Sequence, residues 1–287
     1  MALTAVTIAT QARAWDSRTH QLITRLAIEA LPPSAVKTFF TRNRNQLEEY
    51  SIWPDTVLRQ EYGDAEARRH YINLEYFGTD PFSKLDPSLA TMEREFGHRR
   101  MMMAGTLPWT VEAYAEQSSS AWRAGDCNAV LRDSGLLAHY VGDASQPLHS
   151  TEHYDGYAGD RGVHHRFEGA VDHDVGAVED AARPQVRIAR LDSVWTPTID
   201  EIRRANGLID DVLQSDRAVR AEGSYGEYRY NRALMQRDLP MAARQVADAA
   251  SNLGSIWLHE WEGAGSPAAC SASLQPQAPV RHYLPGF

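Results

Sequence analysis

The sequence predicts an all-α fold, a single compact multi-helix domain, on three observations. Apolar residues recur at three- and four-residue spacing in successive segments, period-two alternation of the kind a half-buried strand needs is scarce, and Pro or Asp stands where helices should start or stop. Leu22, Ile23, Leu26, Ala27 and Leu31 mark a first amphipathic helix that ends before Pro32-Pro33. Val36, Phe39, Phe40 and Leu47 mark a second. Ile52-Trp53-Pro54-Asp55 breaks the periodicity and reads as a turn that holds Asp55 at a helix end. Thr106-Leu107-Pro108-Trp109 restarts a helix with Pro108 in its first turn, and Asp126 is placed to cap the helix carrying Leu131, Leu137, Ala138 and His139. After a loop from Thr151 to Gly162 rich in Gly, Asp and Tyr, Ile199, Ile202, Ala205, Leu208, Ile209, Val212 and Leu213 predict one more helix, and Leu239 to Trp257 a last one. Internal repeats are absent, and 263–287 reads as an irregular tail.

A chain of 287 residues with 43% apolar and 9% aromatic content can bury a substantial core. Its net charge of −9 argues against a broad basic face for nucleic acid. Residues 1–14 contain a short apolar run and end in Ala12-Arg13-Ala14, the pattern of a signal peptide, although the basic start usual in such leaders is missing. The run is too short to span a bilayer. Secretion or export to the periplasm is therefore expected, with 15–287 as one catalytic domain. Cleavage after Ala14 would leave Trp15 with a free α-amino group, which is a competent metal ligand once deprotonated. Cys127 and Cys270 are compatible with one disulfide in an oxidising compartment or with two free thiols.

Chemistry concentrates in five histidines and three carboxylates: His20, Asp55, His70, His139, Asp143, His149, His164 and Glu168. In LLAHYVGDASQPLHS, His139 and Asp143 are four apart and share a helix face, and Pro147 ends that helix so that His149 turns back. His164 and Glu168 repeat the spacing in GVHHRFEG, and this favours His164 over its neighbour His165 as a ligand. Zinc takes imidazole and carboxylate in roughly tetrahedral sets, so eight such side chains and an amino terminus are too many for one ion and about right for three Zn2+. The competing account, core histidines each hydrogen-bonded to a carboxylate, is strained when so many desolvated imidazoles need partners. Phosphodiester cleavage needs a nucleophile at neutral pH and compensation of charge on oxygen, both of which clustered zinc supplies. No Ser/His/Asp elbow or phosphate-cradling Gly-rich loop competes for the role.

WDSRTH, WPD, RRHYIN, HYVGDASQPLH and GVHHRFEGAVD occur in the order and approximate spacing of the zinc-dependent phospholipase C and single-strand-specific nuclease superfamily, which this chain resembles from Trp15 to about Asp172. The resemblance implies one zinc on Asp55, His70, His139 and Asp143, and a second on His149, His164 and Glu168. It implies a third on the amino and carbonyl groups of Trp15 with His20 and Asp143. It also implies that Asp55 orients or deprotonates the attacking water.

Glu168 resembles the phospholipase branch, where the nuclease branch has Asp, whereas the four residues between Trp15 and His20 match nuclease spacing. Thr56 stands where an aromatic of a choline pocket would be expected, and Leu58 where nucleases carry Arg, with Arg59 one step later. Tyr71 could stack on a base or be core, and Tyr154 and Tyr157 could rim a head-group site or pack on their own loop. Trp53 and Trp109 read as core, and Asp210, Asp211, Arg217 and Arg220 as solvated faces. The expectation is a secreted zinc phosphodiesterase that cleaves phospholipid head-group esters. It would make transient contact with a membrane surface and need no obligate protein partner. A single-strand nuclease releasing 5′-nucleotides is the alternative within the class, and a non-catalytic zinc-binding envelope protein the alternative outside it.

Overall fold

The computed structural model of the chain describes residues 15–223 and 226–268. Every regular element among them is helical. The first helix, α1 (Ser17–Ala30), buries the predicted Leu22, Ile23, Leu26 and Ala27 and stops at Leu31, before the two prolines. The second predicted helix is two: α2 (Ala35–Arg42) and α3 (Arg44–Tyr50). They divide at Asn43, whose side chain donates to the Phe39 carbonyl at 2.9 Å and so competes with the main chain for a helical acceptor. The turn expected at 52–55 is instead one wide turn of π-helix, Pro54–Leu58, continuing into α4 (Arg59–Tyr62). Pro54 has no N–H to give, and its carbonyl accepts from the amide five residues on, at Arg59. Asp55 thus stands in the first turn of a helical segment.

Gly63, at φ +55°, separates α4 from α5 (Asp64–Ala67), and a 3-10 turn over Arg68–His70 follows. Helices α6 (Leu89–Phe96) and α7 (His98–Ala104) lead to α8 (Leu107–Ala124), which carries Pro108 in its first turn as predicted. Asp126 accepts from Ala129 N at 3.1 Å and caps α9 (Cys127–Ala144).

Helix α9 is the axis of the molecule. It is buried on all sides from Val130 to Ala144, with α8, α3, α14, α12 and α1 packed around it. Two glycines make this enclosure geometrically feasible. A Cβ on Gly135 would lie 2.4 Å from Cβ of Tyr50 on α3, and one on Gly142 would lie 2.8 Å from Nδ1 of His20 on α1. Backbone therefore approaches side chain more closely there than any larger residue permits.

A 3-10 turn over Pro147–Ser150 returns the chain toward α9, and α10 (Val163–His173) and α11 (Val175–Ala182) follow. The single helix expected over Ile199–Leu213 is broken at Gly207 into α12 (Trp195–Asn206) and α13 (Ile209–Ala221). The last helix, α14 (Glu227–Gly263), starts twelve residues earlier than predicted and passes through Pro240. Pro240 cannot donate to the Gln236 carbonyl, but both residues lie on the exposed face, where water can take the freed acceptor. α14 packs on α1, α10, α11, α8, α9 and α13. Its Trp257 meets Phe40 edge to face at 4.8 Å, and burying each such ring contributes roughly 1.5–3 kcal/mol. Trp53 and Trp109 are buried, as expected. Arg217 and Arg220 are not merely solvated: Arg217 clamps Asp160 at 2.7 and 2.6 Å, and Arg220 donates to the Gly159 carbonyl. They tie the 151–162 loop to α13. No described helix is long and apolar enough to cross a membrane. Residues 1–14, Cys270 and most of the 263–287 tail lie outside the described residues.

Candidate metal centre

The C-terminal half of α9 supplies the centre of the site because residues four apart share one face of a helix. His139 and Asp143 are fully buried there, with His139 Nε2 3.5 Å from Asp143 Oδ2. The 3-10 turn after α5 brings in His70, whose Nδ1 lies 3.0 Å from both Asp143 Oδ2 and His139 Nε2. Asp55 approaches from the π-helical turn, 3.7 Å from His70 Nδ1 and 4.0 Å from His139 Nε2. From α1, His20 stacks on the His139 ring at 3.9 Å and places Nε2 3.5 Å from the other oxygen of Asp143.

A second group adjoins the first. His164 and Glu168, one turn apart on α10, stand 2.7 Å apart, and His149 Nε2 lies 3.1 Å from His164 Nε2 and 3.5 Å from Glu168 Oε1. His149 Nδ1 is also 3.7 Å from Asp143 Oδ1, so Asp143 faces both groups. His165 is exposed, and His164 is the buried member of the pair.

Three sets of side chains place donor atoms within 4.8 Å of one another: His20, Asp55 and His139; His70, His139 and Asp143; His149, His164 and Glu168. The structure therefore brings together all eight side chains singled out in the sequence. Trp15 is fully buried beside them, its indole N–H donating to the Gly142 carbonyl at 3.0 Å. Any free amine on Trp15 depends on residues 1–14, outside the described residues. Tyr154 is 47% exposed with its ring 5.7 Å from that of His164, at the rim of the second group. Tyr71 is half-buried and packs its ring against Gly105.

The donor set fits zinc. Ligands about 2.1 Å from a tetrahedral ion lie about 3.4 Å from one another, which is the scale of the separations here. Imidazole nitrogens face each other across 3.0 and 3.1 Å, and His20 Nε2 and Asp143 Oδ1 are buried without any hydrogen-bond partner among the described residues. An unmet buried polar atom is costly, and a shared cation satisfies several at once. Main-chain carbonyls orient two of the rings: His139 Nδ1 donates to Ser51 O and His149 Nδ1 to His70 O, both at 2.7 Å, leaving each Nε2 bare toward the centre.

Burial is the leading influence on the protonation of His20 and His139, and for His20 it outweighs the opposing charge of Asp143. It lowers His20 to about 4 and His139 well below the ordinary range, keeping both in the neutral form that binds metal. Burial also lifts Asp55 to about 6. For Glu168 burial works upward, but the adjacent imidazoles of His164 and His149 outweigh it and bring the carboxyl to about 2.

Three contributors were not singled out from the sequence. Ser51 acts through its carbonyl, which no side-chain pattern reveals. Gln146 donates to Glu168 Oε1 at 2.5 Å and also accepts from Leu148 N, joining α10 to the 3-10 turn. Glu66 is fully buried behind His70, and its one signal was its place four residues before that histidine.

The sequence profile described as zinc dependent phospholipase C matches residues 19–204. Among solved structures, the alpha toxin of Clostridium absonum aligns with a TM-score of 0.56 at 15% identity, over 91% of this chain and 68% of the toxin. The alpha-toxin of Clostridium perfringens from an avian strain gives a TM-score of 0.47 at 16% identity, over 90% of this chain and 66% of the toxin. No curated protein matches. The likeness to the C. absonum toxin is one of fold.

Proposed function

The chain belongs to the zinc-dependent phospholipase C family, and from that premise we propose that it is a zinc-dependent phosphoric diester hydrolase that cleaves phospholipid head-group esters. The observation that carries the reading is Asp143, whose two oxygens face the two groups of histidines. In this reading Asp55, His70, His139 and Asp143 hold one zinc, His149, His164 and Glu168 a second, and His20 and Asp143 with the terminus of a processed Trp15 a third. Zinc held there supplies Lewis acidity toward phosphoryl oxygens and makes water acidic enough to attack at neutral pH.

The side chains divide the remaining work by exposure. Asp143 and Glu168 are 0% and 2% exposed, closed to substrate, whereas the Asp55 side chain is 13% exposed. Asp55 is therefore the carboxylate able to hold a proton of the attacking water. Tyr154, beside His164 at the rim, is the candidate to pack against the head group or the glyceryl portion of a lipid. Export in the leader-cleaved form, an extent of 15–287 for the catalytic domain and transient contact with a lipid surface belong to the same proposal.

The test is a direct assay of leader-free protein on phospholipid vesicles, on single-stranded DNA and RNA, and on a chromogenic phosphodiester, each with chelator and with zinc restored. Diacylglycerol and a phosphorylated head group support the proposal. Release of 5′-nucleotides alone supports the nuclease alternative. No zinc-dependent turnover of any diester supports the non-catalytic one.

A further inference from the structure

Behind His70 lies a buried carboxylate that the proposed ligand set does not use. Glu66, fully buried on α5, accepts through Oε2 from Arg69 Nη1 at 2.9 Å and through Oε1 from the hydroxyl of Tyr140. The same Oε1 lies 3.4 Å from His70 Nε2, a buried nitrogen that has no hydrogen-bond partner among the described residues, and it is the acceptor nearest to hand. Arg69 and Tyr140 are themselves buried, so three polar residues from two parts of the chain meet away from water.

His70 is the reverse of its neighbours. His139 and His149 turn Nδ1 onto main-chain carbonyls and present Nε2 to the centre. His70 presents Nδ1 to Asp143, Asp55 and His139 and turns Nε2 outward, toward Glu66. A neutral imidazole carries its proton on one nitrogen only, and the acceptor it meets decides which. A mere counter-ion for Arg69 would need neither an approach to the imidazole nor a fixed oxygen position, and the Tyr140 hydroxyl, one residue after His139, provides that position.

We infer that Glu66 is the positioning residue of His70. It accepts the Nε2–H, holds the tautomer with a bare Nδ1 toward Asp55 and Asp143, and so sets the zinc affinity of that group of ligands without touching metal or substrate. The inference rests on the zinc reading above, and its test can fail separately from that reading.

The test is competition between a chromogenic zinc chelator and leader-free protein, comparing wild type, Glu66→Gln, Arg69→Met and the double variant, with thermal unfolding of each zinc-free chain alongside. Glu66→Gln is expected to weaken one class of zinc roughly ten- to a hundred-fold, while the class held by His149, His164 and Glu168 keeps its affinity. The double variant should stay as weak as Glu66→Gln. Recovery of affinity in the double variant, wild-type affinity in Glu66→Gln, or equal weakening of every zinc would overturn the inference. A wild type that takes up no zinc would sink the zinc reading instead. Should Glu66→Gln fail to fold, Tyr140→Phe removes one hydroxyl from the same carboxylate and should weaken the same class; unchanged affinity there also overturns the proposal.

Discussion

Nδ1 of His139 sits 2.7 Å from the carbonyl oxygen of Ser51. The residue that follows the short helix α3 on one side of the pocket thereby decides which nitrogen of a central-helix imidazole faces inward. A main-chain carbonyl cannot be mutated away without moving the chain, so this orientation is a property of how α3 docks on α9. His149 is oriented in the same way by the His70 carbonyl, whereas the proposed ligand side chains themselves can be tested one at a time.

Asp143→Asn is expected to lower zinc content and abolish diester hydrolysis, because an amide puts a hydrogen-bond donor where four imidazoles now face two carboxylate oxygens. Asp55→Asn, at the more exposed carboxylate, should keep more zinc than Asp143→Asn and still lose turnover. Metal analysis alongside initial rates checks both, and full activity in either variant counts against the assigned roles.

Removing metal should destabilise the folded chain by mass action. Zinc at a thousand times its dissociation constant contributes about 4 kcal/mol per independent site, so excess chelator should lower Tm and zinc should restore it. Calorimetry with and without chelator measures this, and a Tm indifferent to both would contradict a native zinc site.

Gly142→Ala tests the packing of His20. The added methyl would stand 2.8 Å from His20 Nδ1 and 3.0 Å from Cε1, inside a fully packed region. Overpacking of this kind costs about 1–3 kcal/mol, offset in part by the better helix propensity of alanine. Urea unfolding of the zinc-free variant should show a net loss, and zinc content should fall with it.

Glu201 makes stability depend on pH away from the metal centre. It is buried on α12, its Oε2 accepting from Asn252 of α14 at 2.5 Å, and burial is the leading cause that lifts its carboxyl from 4.5 to about 8. Between those two values the folded chain keeps a proton that the unfolded chain has released, so this group's contribution falls as pH rises through the window and levels off above it. Glu201→Gln removes the dependence. Its Tm relative to wild type should rise from pH 5 to pH 8, by the equivalent of a few kcal/mol at most. A difference that stays flat across that range would refute the assignment.

Much of the candidate site was legible because the residues it brings together are side chains of rare type at helical spacing. His139 with Asp143, and His164 with Glu168, declare a shared face in the sequence itself, and the helical period placed the core around Leu22, Leu26 and Phe39. What escaped the sequence depends on the third dimension. The Ser51 carbonyl has no residue-type signal, and Glu66 in EARRH looks like the partner of a surface arginine until the fold encloses it. Asn43 and Gly207 each interrupt a continuous apolar pattern by a local backbone preference that periodicity averages over. The early start of α14 also escaped, and Pro240 sits inside it because a helix tolerates proline where the lost hydrogen bond faces water.

α14 is the last described helix to leave the ribosome, yet it packs on α1, the first. Nascent chain through Glu168 already carries every side chain proposed as a ligand but lacks the wall against which α1, α8, α9 and α10 close. Completion of the native state must therefore wait for the final helix.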